Sequence, residues 1–218
     1  MGAVHEEATR MEIGIIGTGN MGAALAAALS RAGHSIMLGS RNKQRGRETA
    51  ESIAGSVSGG SNQDAADFSD TIILAVPFDA CDAIIRECGA FDGKTIIDIT
   101  NPIDVEALRL KVDSDTSGGE EIAKLAPGAA VVKAFNMVHA EVAEDPDFGE
   151  DLPTCFYCGD DEDAKERVAG VIRDCGLSPV DCGPLRASRY LEATAGLIVQ
   201  LSLNMGWGVD NALLLMER

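Results

Sequence analysis

The sequence predicts an α/β fold, doubly wound around a mostly parallel sheet, with a small helical extension at the C-terminus. Three observations predict it. Apolar segments of strand length alternate with helical ones along most of the chain. The run Gly17-Thr18-Gly19-Asn20-Met21-Gly22 sits between a buried-strand segment, Ile13-Gly14-Ile15-Ile16, and the alanine-rich 23–29. A second strand, 35–39, is followed by Ser40-Arg41-Asn42-Lys43-Gln44-Arg45-Gly46-Arg47 and not by an acidic residue.

The first βα unit has the make-up of a Rossmann pyrophosphate cradle. Gly17 permits the tight turn, Gly19 lets the backbone approach phosphate oxygens, and Gly22 lets the helix pack close to its strand. An ordinary glycine-rich βα turn is the alternative. The end of the second strand then selects the nucleotide. An NAD site carries an acidic residue about 20 positions past the glycines, whereas this chain places four of its 18 cations within residues 41–47, against a net charge of −17. Cations oppose the dipole at a helix N-terminus, so something else must favour them. A ribose 2′-phosphate does so, with a hydroxyl hydrogen bond from Ser40 and a bidentate contact from Arg41. The alternative is a solvated basic patch. The expected cofactor is NADP.

The remaining elements follow in order. Helix 44–54 leads to a short strand around 56–58 and a short helix at 64–68. Strand 71–76 is stopped by Pro77, and helix 79–87 precedes strand 95–99. A polar excursion, 104–118, is expected to be a mobile loop, followed by helix 120–125 and strand 130–135. An acidic loop spans 141–151; strand 154–158, helix 161–175 and strand 179–181 complete the sheet. A long terminal helix starts near Leu185, and the apolar stretch 197–215 is expected to be a buried or dimer-forming helix, because Gln200, Asn204, Asp210 and Asn211 disqualify it as a membrane span. The implied organisation is a loose tail at 1–10, a nucleotide-binding domain at 11–183 and an extension at 184–218.

Composition narrows the function. The negative charge argues against nucleic acid and anionic membranes as partners. Asp outnumbers Glu, 19 to 16, with only six lysines, a balance shared by cytosolic proteins of salt-loving organisms and by moderately acidic proteins of ordinary high-GC bacteria. The six cysteines fit no metal site: Cys155 and Cys158 sit in a predicted strand, where they point to opposite faces, and no second pair completes a zinc set. Free thiols point to a reducing cytoplasm.

Ligands of open parallel sheets lie beyond the carboxyl ends of the strands. That rule selects Thr18 to Met21, Ser40 with Arg41, Val76-Pro77-Phe78, Thr100-Asn101-Pro102, and Asn136 to Ala140, although Pro77 and Asn101-Pro102 serve equally well as simple chain stops.

Assembled, these segments resemble the deazaflavin (coenzyme F420)-dependent NADP oxidoreductase family, through residues 17–22, Gly39-Ser40-Arg41, Ala75-Val76-Pro77, the 131–136 run, Cys158-Gly159-Asp160-Asp161 and Asp181-Cys182-Gly183-Pro184-Leu185. The resemblance implies a dimeric Rossmann protein that passes hydride between NADP and coenzyme F420. It also implies nucleotide contacts at Thr18, Gly19, Asn20, Met21, Ser40, Arg41, Arg45, Val76, Ala80, Asn101 and Ala140. Reductases of that family tend to have an extra glycine before the motif and a histidine where Asn136 stands. Val132-Lys133-Ala134-Phe135-Asn136 looks instead like the cytosolic domain of the STEAP metalloreductases, which pairs NADPH with a flavin, so FMN or FAD is the alternative second coenzyme.

Hydride transfer between two stacked rings needs no acid or base from the protein, and no residue is assigned a catalytic role. His139 is the histidine nearest the expected pocket, as a packing or hydrogen-bonding residue ahead of a general acid. Leu201, Leu203, Asn204, Met205 and Trp207 are expected to wall the second ring, or else to form core or interface. A homodimer is expected through the stripe Leu191, Ala195, Ile198 and Leu201 or Ser202. An NADPH-binding sensor without turnover and an imine or keto-acid reductase are the competing functions; the latter usually appends about 100 residues of helical domain, larger than the extension here.

Overall fold

The computed structural model describes residues 10–89 and 91–216. The expected tail at 1–10 falls almost wholly outside them.

An eight-stranded sheet forms the centre. Its strands are β1 (Glu12–Ile16), β2 (Ser35–Ser40), β3 (Val57–Ser61), β4 (Thr71–Leu74), β5 (Thr95–Asp98), β8 (Ala130–Lys133), β9 (Thr154–Gly159) and β10 (Ser178–Asp181). Their spatial order is β10-β9-β8-β5-β4-β1-β2-β3. The chain winds outward from β1 to β3 and then returns to β4 on the other side of β1, so the switch point lies between β1 and β4, where Ala75 N donates to Ile16 O at 2.8 Å. Every pairing is parallel except β8 with β9, where Lys133 opposes Cys158. Because β9 starts on the side of the sheet where β8 ends, residues 134–153 never need to recross it. They stay at the carboxyl edge, close to the expected ligand.

Alternation along the strands sorts the core into two layers. Ile13, Ile15, Ile36, Leu38, Ile73 and Val132 pack with α1 (Asn20–Arg31) and α7 (Glu162–Asp174). Ile16, Ile72, Leu74, Ile96 and Val131 face α3 (Asn62–Phe68), α4 (Cys81–Cys88) and α5 (Gly118–Leu125). The two cysteines of the C-x-x-C run, Cys155 and Cys158, fall into separate clusters as strand geometry requires.

Three expectations need correction. The excursion at 104–118 is not a plain loop: Ile103–Asp104 (β6) and Arg109–Leu110 (β7) pair as a small antiparallel hairpin. The acidic stretch 141–151 contains a short helix, α6 (Ala140–Glu144), packed on α1 and tied to it by a hydrogen bond from Arg31 to the Glu144 carbonyl. The terminal helix α8 (Ser188–Val199) ends in one π-helical turn, Gln200–Asn204, and does not continue through 215. Gly206 and Gly208 take φ of 74° and 76°, a left-handed backbone that breaks any helix, and the chain doubles back so that Thr154 N donates to Leu213 O at 2.8 Å.

Candidate functional site

The glycine run behaves as three separate devices. Gly17 has φ 125°, and a Cβ there would lie 2.0 Å from Ala75 O across the switch point. A Cβ on Gly22 would lie 2.2 Å from Gly17 O. Both glycines are therefore demanded by the fold itself. At Gly19 a Cβ would meet nothing within 4 Å among the described residues, so the fold itself does not demand a glycine there. Gly19 is also the N-cap of α1, with no side-chain cap and no acidic residue in the first turn, which leaves the first amides free to hold an anion. A pyrophosphate fits this open cradle.

On the neighbouring strand, Ser40 is buried at the end of β2 and its Oγ accepts from Asn42 N at 3.3 Å. The helix α2 (Lys43–Glu51) is capped by Asn42, whose Oδ1 accepts from Gln44 N at 3.0 Å and Arg45 N at 3.3 Å. The cations around it divide. Lys43 pairs with Asp64 at 2.8 Å, and this hydrogen bond is the largest influence holding the Asp64 carboxyl down at about 2. Arg41, Arg45 and Arg47 form no ion pair among the described residues. Gly17, Thr18, Gly19, Ser40, Arg41, Arg45, Val76 and Pro77 line one cleft of about 220 Å³, together with Asn62, Ala75 and Ile84, which the sequence reading did not select.

The other expected residues lie elsewhere. Asn20 and Ala140 line a separate groove of about 520 Å³ between α1 and α6. Met21 packs on the core and Ala80 closes the short 3₁₀ turn Phe78–Ala80. Asn101 and Asn136 meet at the carboxyl ends of β5 and β8: Asn101 Nδ2 donates to Asn136 O at 2.6 Å, and Asn136 Nδ2 donates to Asn101 Oδ1 at 3.0 Å. Beside this pair, Asn136 Oδ1 and Thr100 Oγ1 are buried with no partner among the described residues. Phe135 holds φ 57°, a left-handed backbone uncommon for a large side chain. Unmet hydrogen-bonding groups and a left-handed backbone thus coincide at this rim. His139 caps α6 and its Nε2 lies 3.0 Å from Ser202 Oγ in the π turn. Burial pulls its pKa below the ordinary histidine value, against the opposing pull of Glu141.

Beneath the rim lies a group that the sequence reading left unassigned. Lys133 Nζ is 2.7 Å from Asp98 Oδ2, 2.7 Å from Glu192 Oε1 and 2.8 Å from Thr100 O, and all three charged residues are fully buried. Burial alone would lower the Lys133 pKa; the two carboxylates outweigh it and raise it above the ordinary lysine value. Glu192 also accepts from Gly118 N at 2.8 Å and Gly119 N at 3.0 Å, the first turn of α5, which takes up the excess negative charge. A signal existed: charges at Asp98 and Lys133 inside two apolar strands require partners, and the two are register neighbours.

The outermost expectation changes most. Leu191, Ala195, Ile198 and Ser202 turn into the chain's own core, while Leu203, Met205 and Trp207 are exposed. Among the described residues no helix is long and apolar enough to cross a membrane.

Comparison with known proteins bears on this geometry. The profile of the family described as NADP oxidoreductase, coenzyme F420-dependent, matches residues 12–102. The F420-dependent NADP reductase of Methanocaldococcus jannaschii is 31% identical over 209 residues, covering 88% of this chain and 93% of its own length. Metalloreductase STEAP3 of Rattus norvegicus is 30% identical over 205 residues, which is 94% of this chain but 39% of that protein. A solved structure described as a putative F420-dependent NADP reductase from Arthrobacter sp. FB24 superposes with a TM-score of 0.81 at 27% identity, covering 90% of this chain and 95% of that one.

Proposed function

The chain belongs to the coenzyme F420-dependent NADP oxidoreductase family, and from that membership we propose that it transfers hydride between NADP(H) and a deazaflavin coenzyme of the F420 type. When bound, the two coenzymes supply the redox chemistry between their own rings. The protein's part is to bind and orient them.

In this reading the amides at the start of α1 hold the pyrophosphate against Gly19, with Thr18, Asn20 and Met21 beside it. Ser40, Arg41 and Arg45 hold the ribose 2′-phosphate, and Val76, Pro77 and Ala80 flank the adenosine. Asn101, Asn136 and Ala140 belong to the nicotinamide end, where the orphaned Asn136 Oδ1 and Thr100 Oγ1 would find partners on the ligand. The second ring would stack at this rim, and two copies of the chain would associate through the outer face of α8. The observation that carries the nucleotide assignment is the cleft at the end of β2, where two arginines with no carboxylate partner among the described residues line an open phosphate cradle.

The test is direct. Purified protein with NADPH is offered F420, FMN and FAD, and the nicotinamide absorbance is followed. Turnover with F420 and a primary isotope effect from NADPH deuterated at the transferred position are expected. Turnover with a flavin alone would move the assignment to the flavin partner. Arg41→Ala should weaken NADP⁺ by about 10-fold or more while leaving NAD⁺ nearly unchanged, since a hydrogen bond to a charged group is worth about 1.5–3 kcal/mol. Equal affinity of the unaltered protein for NADP⁺ and NAD⁺ would refute the nucleotide assignment.

A further inference from the structure

We infer that Asn62 is a specificity-determining residue for the nucleotide, donating a hydrogen bond to its 2′-phosphate side; the inference rests on the NADP assignment above. Four observations carry it.

The first is position. In the parallel pairing of β2 with β3, Ser40 is the register partner of Ser61. The chain after β2 (Arg41) and the chain after β3 (Asn62) therefore leave the sheet side by side. A Cβ on Gly39 would lie 3.0 Å from Asn62 Cα, so the glycine preceding Ser40 brings that segment directly against Asn62.

The second is an unmade hydrogen bond. Asn62 is 2% exposed, and its Nδ2 has no partner among the described residues. A buried donor left unpaired opposes folding, and native proteins keep few of them.

The third is chemistry. Asn62 lines the same cleft as Ser40, Arg41 and Arg45. Every polar side chain facing that cleft, Thr18 included, can donate a hydrogen bond, and no carboxylate lines it. Asp64, two residues on from Asn62, is engaged by Lys43 and by the Ser61 amide. A lining of donors with arginines selects an oxygen-rich anion.

The fourth is the lack of a structural task. The start of α3 is already satisfied by Ser61 and Asp64, which cap it reciprocally. Asn62 adds nothing to that cap.

The experiment compares 2′,5′-ADP with 5′-AMP, two small probes that differ in the 2′-phosphate, by calorimetry on the full chain carrying Asn62→Ala or Asn62→Asp. Asn62→Ala should weaken 2′,5′-ADP by about 10-fold or more, the size of one hydrogen bond to a charged group, and leave 5′-AMP nearly unchanged. Asn62→Asp, which sets a carboxylate beside the phosphate, should weaken 2′,5′-ADP further still. The melting temperature of the ligand-free Asn62→Ala protein should stay level or rise, because an orphaned donor has been removed. A sharp fall in that melting temperature, or equal loss of both probes, would overturn the inference in favour of a structural or ribose-facing role. Discrimination kept intact in both variants would overturn it while sparing the NADP assignment. Absence of discrimination in the unaltered protein would remove the NADP assignment and, with it, this inference.

Discussion

Lys133 on β8 and Glu192 on α8 meet at 2.7 Å in a fully buried site, and Asp98 on β5 completes the arrangement from the other side of the ammonium. With Thr100 O at 2.8 Å, three oxygens lie within 2.8 Å of the ammonium. This group ties the C-terminal helix to the strand ends beneath Asn101 and Asn136 through buried charges. Removing one partner of a buried pair strands the other. Lys133→Met should therefore cost about 3–5 kcal/mol in urea unfolding. Pairing it with Glu192→Gln should recover part of the loss, because the glutamine carbonyl can still accept from one of the two α5 amides without burying a second unmatched charge. A loss under about 1 kcal/mol in the single variant would show that the joint contributes no more than an exposed ion pair.

The glycines of the first turn should separate stability from binding. Gly22→Ala places a methyl 2.2 Å from the Gly17 carbonyl, a backbone atom with nowhere to go, and should lower the melting temperature and nucleotide affinity together. Gly19→Ala meets nothing in the free protein and should melt normally, yet lose about 10-fold or more in NADP⁺ affinity as its methyl displaces the pyrophosphate. Calorimetric titration beside thermal melting reads both. Normal NADP⁺ affinity in Gly19→Ala would mean that the phosphates lie away from this amide.

Much of the arrangement was legible because it is local. The glycine run, the basic turn after β2 and the apolar strands announce themselves in short windows, and the carboxyl-edge rule then gathers the candidate residues. What escaped depends on distant partners. Lys133 and Asp98 looked like strand residues until Glu192, far along the chain, arrived beside them. The stripe Leu191, Ala195 and Ile198 has the spacing of an interface helix, and spacing cannot say whether the covering surface is another copy or the chain's own β9 and rim. The last helix stops short of the reach its sequence suggests: 197–215 is rich in apolar residues, and the backbone freedom of Gly206 and Gly208 outweighs that pattern.

The thiols offer a pH prediction. Burial pushes Cys81, Cys155 and Cys158 up to about 12 and Cys88 up to about 11, from 9.0 for an ordinary thiol. Because the folded values lie above the unfolded one, the folded state holds protons that the unfolded state releases. Their contribution to stability is complete below about pH 9 and is lost as pH rises from there toward 12. The melting temperature should fall across that window, and more gently in a Cys155→Ala/Cys158→Ala protein. Of the six thiols only Cys182 is partly exposed, so a disulfide reagent should titrate at most one in the native protein and six after denaturation. Rapid native reaction of several would contradict this burial.

Association of two copies should use the outer face of α8, because its inner stripe is already spent on the core. Tyr190 is 78% exposed, Leu197 56% and Leu203 58%, and the hairpin residue Leu108, 56% exposed, stands beside Leu197 in an apolar depression of about 390 Å³. Apolar surface of this kind on a chain of net charge −17 has an opposing term, since two copies repel one another at long range. Salt screens that repulsion and leaves apolar burial intact. The mass measured by light scattering should therefore approach that of a dimer as salt increases, opposite to the behaviour of a dimer held by ion pairs. Leu197→Asp should yield a folded monomer at every salt concentration, because the aspartate is solvated there once the copies separate. Leu191→Asp is the contrasting case: Leu191 is 6% exposed and inward-facing, so that variant should lose stability and not merely its partner. A monomer mass for the unaltered protein at high salt, or a dimer that survives Leu197→Asp, would exclude this face as the interface.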